Sequence, residues 1–374
     1  MKLTIQKTAL AQALSAVSAV VSSRNSLPYL QMVKMEAWPV STPENISITA
    51  TDMDCFYTRL VDAVIAESGV CLIPASRIKE WLGIITGDHV VMETIENHIK
   101  LTSEGGGTIK FSTVEAEKFP KLSGDAFTFI ALTDFAPIKH IAPCIIGSNE
   151  GRPQMEAVFI ETAGDSLICA ASNGRQVGTV TFKVEEGNKP WTPISLPAKY
   201  VNVVAGLGKC DLSESQNDLH FMSATFRLSV RKTEHGVPNW RRATSNEQFP
   251  IVGSITVMRD EFAQAVAQCH VHRGNELGSE YGVRVSLAKE GNGMNVSCFV
   301  NKTGDSYSNT IDGRIKGEFP PVILSTEYLT PFLQLQDDSP IKIEFTGSKT
   351  MVKMNAPELG VFYYFSPMFE KGAE

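Results

Sequence analysis

Two carboxylates are the first candidates for chemistry in this sequence. Asp52 and Asp54 flank Met53 between two segments rich in β-branched and apolar residues. Such a pair could hold a divalent metal ion for group-transfer chemistry. Aspartates between two strands are more often solvated turn formers, and we favour the turn. Metal-dependent transfer is therefore the least favoured of three functional hypotheses.

Two other motifs also have a simple structural explanation. His270 and His272 lie two residues apart on a predicted helix, whereas helical metal ligands need a spacing of three or four residues to share a face. The run Gly105-Gly106-Gly107 lacks the helix and lysine that follow a phosphate-binding loop, so it predicts a hairpin turn. No nucleophile beside a base is evident. The sequence gives no positive argument for an enzyme, and we predict no cofactor and no metal.

The composition is that of an ordinary globular protein. Of the 374 residues, 43% are hydrophobic and 20% are charged, and no run approaches the length of a transmembrane helix. The formal net charge of −7 means that any contact with nucleic acid must be local. Seven cysteines without a Cys-x-x-Cys motif favour reduced thiols and a cytoplasmic location. The alanine-rich N-terminal run keeps a clean apolar stripe, which favours an amphipathic helix over an export signal.

The elements that would position any site recur three times. An apolar pair, a turn residue and an amphipathic helix follow one another around Pro74, Pro197 and Ser325. Separate apolar helical faces begin at Leu10, Phe135 and Phe262. Both markers repeat at intervals of roughly 125 residues, which is a common domain size. The sequence therefore predicts three domains, at residues 1–125, 126–252 and 253–374.

Each domain is predicted to be α+β, with two helices packed on a mostly antiparallel sheet. Period-two alternation predicts strands at 2–5, 33–38, 46–51, 56–64, 90–95, 99–102, 108–113, 157–161, 166–171, 176–182, 218–222, 225–230, 283–287, 294–300, 341–345 and 361–365. Pro143 interrupts the helical pattern that begins at Phe135, so that helix should be bent or short. Three such domains could close a ring with a second copy, which would remove exposed sheet edges.

Basic residues also recur on or beside the candidate inner helices. They are Arg24, Arg77, Lys79, Lys139, Arg152, Lys199, Arg259 and Arg273. Their density alone does not separate a nucleic-acid surface from an ordinary solvated surface.

Seven segments, in order and over nearly the full length, resemble the bacterial sliding-clamp family, the β subunit of DNA polymerase III. They are Arg24-Asn25-Ser26-Leu27-Pro28-Tyr29-Leu30, Thr49-Ala50-Thr51-Asp52, Ile73-Pro74-Ala75, Lys118-Phe119-Pro120, Ala171-Ser172-Asn173-Gly174-Arg175, Val237-Pro238-Asn239-Trp240-Arg241-Arg242 and Ser366-Pro367-Met368. The resemblance implies a head-to-tail homodimeric ring around duplex DNA, without chemistry of its own and without a membrane association. Its phosphate contacts should be loose and independent of base sequence, because tight contacts would stop sliding.

The resemblance also implies three sets of site residues. DNA polymerase III and the clamp loader would insert short peptide motifs into a pocket between the second and third domains. That pocket would comprise Met155, Ser172, Gly174, Arg175, Gln176, Val177, Pro238, Ala243, Thr350, Tyr364, Ser366, Pro367 and Met368. The DNA-facing residues would be Arg24, Arg77, Asn149, Arg152 and Lys199. The dimer interface would include Ile109, Phe111, His272 and Arg273.

Two departures from the family pattern leave an alternative open. The family usually has Asp-Gly-His-Arg-Leu where this chain has Asn173-Gly174-Arg175-Gln176-Val177, which alters the pocket wall. At the expected ring seam an aliphatic pair is replaced by His272 and Arg273, and burying two polar groups there would cost free energy. The second hypothesis is therefore a monomeric accessory or decoy protein that binds clamp partners without encircling DNA.

Overall fold

The computed structural model describes residues 1–21, 27–38, 45–122, 124–145, 151–187, 192–233, 235–272, 282–288, 293–299, 306–335 and 340–368. Within these ranges the α-helices are α1 (Lys7–Val17), α2 (Ala75–Ile84), α3 (Ala198–Ala205), α4 (Trp240–Thr244), α5 (Arg259–His272) and α6 (Thr326–Leu333). Short 3-10 helices occupy Ser18–Val20, Pro28–Gln31, Ala116–Lys118, Ala136–Cys144, Pro153–Met155 and Pro357–Leu359. None of the described helices is both long and apolar enough to cross a membrane.

The strands of the first half of the chain are β1 (Lys2–Gln6), β2 (Val33–Ala37), β3 (Asn45–Thr51), β4 (Cys55–Glu67), β5 (Gly69–Ile73), β6 (His89–Ile95), β7 (His98–Ser103), β8 (Thr108–Ser112), β9 (Thr128–Asp134), β10 (Ala157–Ala163), β11 (Ser166–Ser172), β12 (Gln176–Lys183) and β13 (Glu186–Gly187). Those of the second half are β14 (Ile194–Pro197), β15 (Lys209–Glu214), β16 (Asp218–Ser223), β17 (Phe226–Arg231), β18 (Gly253–Val257), β19 (Gly282–Leu287), β20 (Gly293–Phe299), β21 (Ser306–Asp312), β22 (Arg314–Gly317), β23 (Val322–Ser325), β24 (Ile341–Phe345), β25 (Val352–Ala356) and β26 (Val361–Phe365). The predicted α+β class with antiparallel sheets is confirmed.

The chain divides into two compact units. The first unit is Met1–Leu132 with Cys210–Lys232, and the second unit is Thr133–Lys209 with Thr233–Glu374. In the first unit the strand order runs β15-β16-β17-β4-β1-β6-β7-β8, and β3, β2 and β5 extend the sheet beside β4. In the second unit one sheet has the order β14-β10-β11-β12-β26-β25-β24-β18-β22, and a smaller sheet has the order β21-β20-β19-β23. The predicted partition into three domains remains a prediction.

Helix α1 forms because its apolar residues have the spacing of one helical face. Leu10, Ala13, Leu14 and Val17 are all buried, and their i, i+3, i+4, i+7 pattern turns them to one side. The helix packs against β3 and β4 and beside α2. The buried alternate residues of β3, Ile46, Ile48 and Ala50, supply the apolar sheet face for that packing.

The segment predicted as a bent or short helix at Phe135 is a 3-10 helix. It runs over Ala136–Cys144 and buries Ile138, Ile141 and Cys144, a spacing of three that matches the 3-10 repeat. Pro143 lies near its end, where a proline disfavours a continuing α-helix. A Cβ at Gly178 on β12 would lie only 2.6 Å from Cys144 Sγ, so the glycine permits this close packing.

Candidate functional site

The motifs with possible metal or phosphate chemistry lie in structural turns. Asp52 Oδ1 accepts a hydrogen bond from the Cys55 backbone N–H at 2.9 Å, and Met53 has a φ of 86°, so this segment is the tight turn between β3 and β4. The glycine run turns β7 into β8, with Ser103 N donating to Gly107 O at 2.8 Å. No cluster of three or more metal-ligating side chains occurs in the part of the chain that the structure describes. The side chains of His270 and His272 lie outside that part.

The predicted peptide pocket lies on a face of the large sheet in the second unit. An apolar cluster there comprises Ala157, Phe159, Ala170, Val177 and Trp240, with Ile168, Val237, Ala243 and Tyr364 packed against it. Its strand members come from alternate positions of β10, β11, β12 and β26, which side-chain alternation turns to one face. Helix α4 contributes Trp240 and Ala243 to this face. The sheet and one short helix thus bring three predicted pocket residues, Val177, Ala243 and Tyr364, together.

Trp240 is fixed in place by polar contacts at its edge. Its Nε1 donates to Glu161 Oε1 at 2.9 Å, and the Arg241 guanidinium donates to Glu161 Oε2 at 2.7 and 3.0 Å. The same guanidinium lies 4.5 Å from the Trp240 ring centroid. Asn239 Oδ1 caps α4 by accepting from Arg242 N at 3.3 Å. The indole is therefore positioned rigidly, as a wall of the pocket should be.

Beside this cluster is a shallow groove with a mixed lining. It is lined by Ala243, Thr244, Ser245, Asn246, Phe249, Ile251, Thr346, Met351, Lys353 and Tyr364. Of the predicted pocket residues only Ala243 and Tyr364 line it. Sequence reasoning missed Phe249, Ile251 and Met351. Phe249 and Ile251, on either side of Pro250, could have been noticed in the sequence, because two large apolar side chains in a polar linker indicate a binding or packing surface.

The turn between β11 and β12 is held by side-chain hydrogen bonds. Asn173 Oδ1 accepts from the backbone N–H groups of Arg175 and Gln176 at 3.0 and 2.9 Å. Ser172 Oγ accepts from Gly174 N at 3.1 Å and donates to Gln176 O at 2.9 Å. Gly174 and Arg175 are exposed, whereas Ser172 is buried. The predicted pocket wall at this turn is therefore rigid in its backbone.

Gln176 points into the protein rather than towards a ligand. It is 2% exposed, and its Nε2 donates to Pro143 O at 3.1 Å. Its Oε1 is buried and has no hydrogen-bond partner among the described residues. Gln176 is part of the altered segment of the predicted pocket wall, and its side chain affects that wall through packing. Arg175 is the exposed cation of the turn.

Arg152, predicted to face DNA, lies against the predicted peptide pocket. A Cβ at Gly174 would meet Arg152 Nη1 at 2.5 Å and Met155 Sδ at 3.9 Å. The φ of Gly174 is +82°, so the backbone favours glycine, and a Cβ there would also require the Arg152 guanidinium to shift. The structure therefore brings Arg152, Met155 and Gly174 together.

The end of the described chain forms one border of this region. Ser366 N donates to Arg175 O at 2.9 Å, and Met368 N donates to Ile323 O at 2.8 Å. Pro367 is buried and Met368 is half-buried. The segment from Ser366 to Met368 is thus tied to the β11–β12 turn at one end and to β23 at the other.

Two further predicted pocket residues are ordered by local contacts. Thr350 Oγ1 accepts a hydrogen bond from Thr346 Oγ1 at 2.8 Å, and the Pro238 carbonyl accepts from Trp240 N at 2.8 Å. Both predicted residues are partly buried. Thr350 therefore lies next to the groove residue Thr346, and Pro238 lies at the start of α4.

Tyr364 gives the groove a hydroxyl group that stays protonated. Burial, and then the charge of Glu344, raise the pKa of Tyr364 to about 12. Lys353 Nζ lies 5.8 Å from the Tyr364 ring centroid and 3.5 Å from Glu344 Oε2. The groove thus combines apolar surface, a neutral phenol and a partly neutralised lysine, which suits an extended peptide with apolar anchors.

The predicted DNA-facing residues that the structure describes are on helices. Arg77 is exposed on α2, and its guanidinium lies 4.8 Å from the Phe111 ring centroid. Lys199 is exposed in the first turn of α3, with Nζ 5.3 Å from the Tyr200 ring centroid. Arg24 and Asn149 lie outside the described residues.

The predicted dimer interface is described on one side. β8 is the last strand in the sheet order of the first unit, so among the described residues its outer edge is unpaired. Ile109 is partly exposed, whereas Phe111 is 2% exposed beneath Arg77. Arg273 and the side chain of His272 lie outside the described residues.

Known proteins resemble this chain in sequence and in fold. Residues 1–123 match the family model described as the N-terminal domain of the DNA polymerase III beta subunit. The beta sliding clamp of Pseudomonas aeruginosa is 21% identical over 294 residues, which cover 76% of this chain and 79% of that protein. The beta sliding clamp of Bacillus subtilis is 20% identical over 375 residues, which cover 96% of each.

Two solved structures extend the likeness to the whole fold. The sliding clamp of Bacillus subtilis superposes with a TM-score of 0.86 at 19% identity and 99% coverage of both chains. The DNA polymerase III beta subunit of Thermotoga maritima gives a TM-score of 0.85 at 16% identity, covering 98% of this chain and 99% of that one. The chain is therefore similar to bacterial beta sliding clamps over nearly its full length, and its first 123 residues match the family model of the N-terminal domain of the DNA polymerase III beta subunit.

Proposed function

We propose that this protein is a DNA sliding clamp, which encircles duplex DNA and tethers a polymerase without catalysing a reaction. The observation that carries the proposal is the similarity to beta sliding clamps over 96% of the chain. A likeness confined to one domain would fit a protein that borrows the fold. Likeness along the whole chain supports the complete architecture, including three clamp domains at residues 1–125, 126–252 and 253–374.

The working form is a head-to-tail homodimer. A ring leaves no free sheet edge, and β8 at the end of its sheet is the edge that a second copy would cover. Ile109 supplies partly exposed apolar surface for that seam, with Phe111 packed behind it. The opposing side would be the C-terminal end of α5, including His272 and Arg273.

DNA would be held through phosphates and without base recognition. Arg77 and Lys199 are exposed cations on helices, and Arg24, Asn149 and Arg152 complete the set that the family resemblance implies. The net charge of −7 keeps the overall attraction to DNA weak. Weak, salt-sensitive contacts are what a sliding protein requires.

The polymerase and the clamp loader would dock through short peptide motifs in the groove of the second unit. Ala243 and Tyr364 line that groove, and Val177 lies in the apolar cluster beside it. Arg152 and Arg175 are exposed at one side, so a peptide with an acidic residue beside its apolar anchors should bind best. The protein would act in the cytoplasm, in keeping with seven cysteines that form no disulfide among the described residues.

Retention on circular DNA tests the ring. The protein would be loaded with its clamp loader onto a nicked plasmid and separated from free protein by gel filtration. We expect the clamp to stay with the circular plasmid and to leave after a restriction enzyme linearises it. The oligomeric state would be measured in parallel by sedimentation equilibrium, with a dimer of twice the 40.8 kDa chain expected.

Two results would contradict the proposal. Retention that persists after linearisation would indicate ordinary DNA binding. A monomer that is never retained on the circle would instead support the accessory or decoy hypothesis. Substituting Lys199→Ala, an exposed cation that is not among the predicted seam residues, should lower loading efficiency without changing the dimer, which separates DNA contact from ring closure.

A further inference from the structure

The peptide-binding face of the second unit has a counterpart in the first unit, with the same strand register. In the second unit one row of paired residues crosses β10, β11, β12 and β26: Phe159, Ala170, Thr179 and Phe362. In the first unit the corresponding row crosses β2, β3, β4 and β17: Lys34, Thr49, Thr58 and Arg227. Both ladders end alike, with Leu60 N donating to Thr225 O and Thr181 N donating to Gly360 O.

The next row confirms the correspondence of the two faces. Ser172, Val177, Tyr364 and Lys353 are paired in the second unit. Thr51, Phe56, Ser229 and His220 are paired in the first unit. The linkers match as well, because Phe119, which precedes Pro120, borders the first-unit face as Phe249, which precedes Pro250, borders the groove.

The counterpart is an open, polar cleft. Its floor consists of Lys34, Thr49, Thr58 and Arg227, with Phe56 and Ser229 beside them, and the segment Phe119–Leu122 forms one wall. No tryptophan is among the described residues that line it, whereas Trp240 covers the second-unit face. Thr49 Oγ1 and Thr58 Oγ1 are 2.9 Å apart, so the floor is ordered by its own hydrogen bonds.

The cleft is positively charged on an acidic protein. Lys34, Lys121 and Arg227 line it, together with a single carboxylate from Glu36. Lys34 Nζ lies 2.9 Å from Glu36 Oε1, and these two charges offset each other. Lys121 and Arg227 therefore give the cleft its net positive charge. The protein as a whole carries −7, which makes this concentration of cations a local feature that would attract a carboxylate.

The position of the cleft favours a protein ligand over DNA. Ile48 and Ala50 of β3 are buried on the face where α1 packs, so alternation puts Thr49 on the opposite face. Arg77 is on α2, which lies beside α1. The cleft is therefore on the side of the sheet away from the helix that carries Arg77.

We propose that this cleft binds an acidic, extended peptide segment of a partner protein, with its carboxylate between Lys121 and Arg227 and an apolar side chain against Phe56 and Phe119. This would be a second partner site, additional to the groove of the proposed clamp. It rests on the ladder correspondence and the charge of the lining, so it does not depend on ring closure.

The test uses fluorescence anisotropy with the full-length chain. The probe is a fluorescein-labelled heptapeptide in which two glutamates flank a central leucine-phenylalanine pair, and the control probe has glutamines in their place. Lys121→Gln and Arg227→Gln should each weaken binding of the glutamate probe by about tenfold, since each removes a charge-assisted contact. Arg231→Gln, an exposed arginine on the same strand, is the matched control and should leave binding unchanged.

Arg227 lies 5.3 Å from the Phe127 ring centroid, so its substitution could also disturb folding. Lys121 is exposed, so Lys121→Gln tests the charge without that complication. The proposal fails if the glutamine probe binds equally well, or if both cleft variants bind like the wild type. It also fails if Tyr364→Ala alone abolishes binding, since the peptide would then occupy the groove. Displacement of the probe by a short DNA duplex, with weaker duplex binding by the cleft variants, would assign the cleft to nucleic acid instead.

Discussion

The two ladders, β2-β3-β4-β17 and β10-β11-β12-β26, share a register and differ in their outward side chains. Their inner faces pack helical segments and are apolar in both units. The outer face of the second-unit ladder carries Phe159 and Ala170 beneath Trp240, whereas the first-unit ladder carries Lys34 and Thr49 in the same row. Buried alternate positions thus specify a repeated backbone, while the outer positions are free to acquire different binding chemistry.

Of the changes that distinguish the two ladders, removal of Trp240 should lower the free energy of unfolding most. Trp240 is 7% exposed and covers only the second-unit ladder. Trp240→Ala should lower the unfolding free energy by about 3 kcal/mol or more, because it leaves a cavity and removes the hydrogen bond that the indole donates to Glu161 Oε1. Urea unfolding followed by circular dichroism would measure this. Trp240→Phe is the control and should lose less, and equal losses for both variants would contradict a packing role.

The turn that carries Gly174 should be the next most sensitive position. Gly174→Ala combines a φ of +82° with a Cβ placed 2.5 Å from Arg152 Nη1, and we expect a loss of about 1.5 kcal/mol, mostly from the backbone because the exposed guanidinium can shift at small cost. Gly164→Ala is the matched control, since its φ is +62° and its Cβ would meet nothing within 4 Å. Its loss should be about 1 kcal/mol, from the backbone conformation alone.

A double-mutant cycle would separate the two contributions at Gly174. Adding Arg152→Ala to Gly174→Ala should recover the steric part and leave the conformational part. Thermal denaturation of the four proteins would give the coupling energy. Additive losses would show that the arginine does not constrain the turn.

The hydrogen bond across the first-unit floor should have a smaller effect. Thr49→Val removes one hydroxyl of the Thr49–Thr58 pair at 2.9 Å and should cost about 1 kcal/mol or less. Replacing both threonines with valine should cost no more than the single change, because no hydroxyl then lacks its partner. Urea unfolding would check this, and a double variant much weaker than either single variant would contradict it.

Tyr364→Phe should have the smallest effect on stability at neutral pH. Its pKa is raised to about 12 in the folded protein by burial and by Glu344. The folded state therefore binds the phenolic proton more tightly than the unfolded state, and stability should fall as pH rises from about 10 towards 12. Tyr364→Phe should reduce that fall in thermal midpoints measured at pH 9 and pH 11. An unchanged slope would contradict the raised pKa.

The sequence predicted the fold well where local periodicity reflects burial. The alternation in residues 90–95 and 99–102 predicted β6 and β7, and the apolar face from Leu10 predicted α1. Strand β25 was missed because Asn355 and Lys353 weaken its β pattern, so its pairing with β24 and β26 decides the conformation. The pairing of β17 with β4 joins the second predicted domain to the first, and no local pattern encodes it.

The candidate site was less accessible to sequence reasoning. The family resemblance assigned Val177 and Tyr364 to the pocket, but Trp240 and Met351 were not selected because a single apolar residue in a short helix or a loop has no distinctive spacing. Arg152 was assigned to DNA from the resemblance, and only the folded chain brings it onto Gly174. The two ladders can be recognised as equivalent only from their strand registers, and the spacing of the sequence repeat does not give those registers.

Strand β26 pairs with β12 and β25, although it lies far from β12 in sequence. The groove therefore lacks Tyr364, and β12 lacks its neighbour, until translation has passed Phe365. A chain that stops before β26 should therefore bind the proposed peptide motifs more weakly than a chain that includes it.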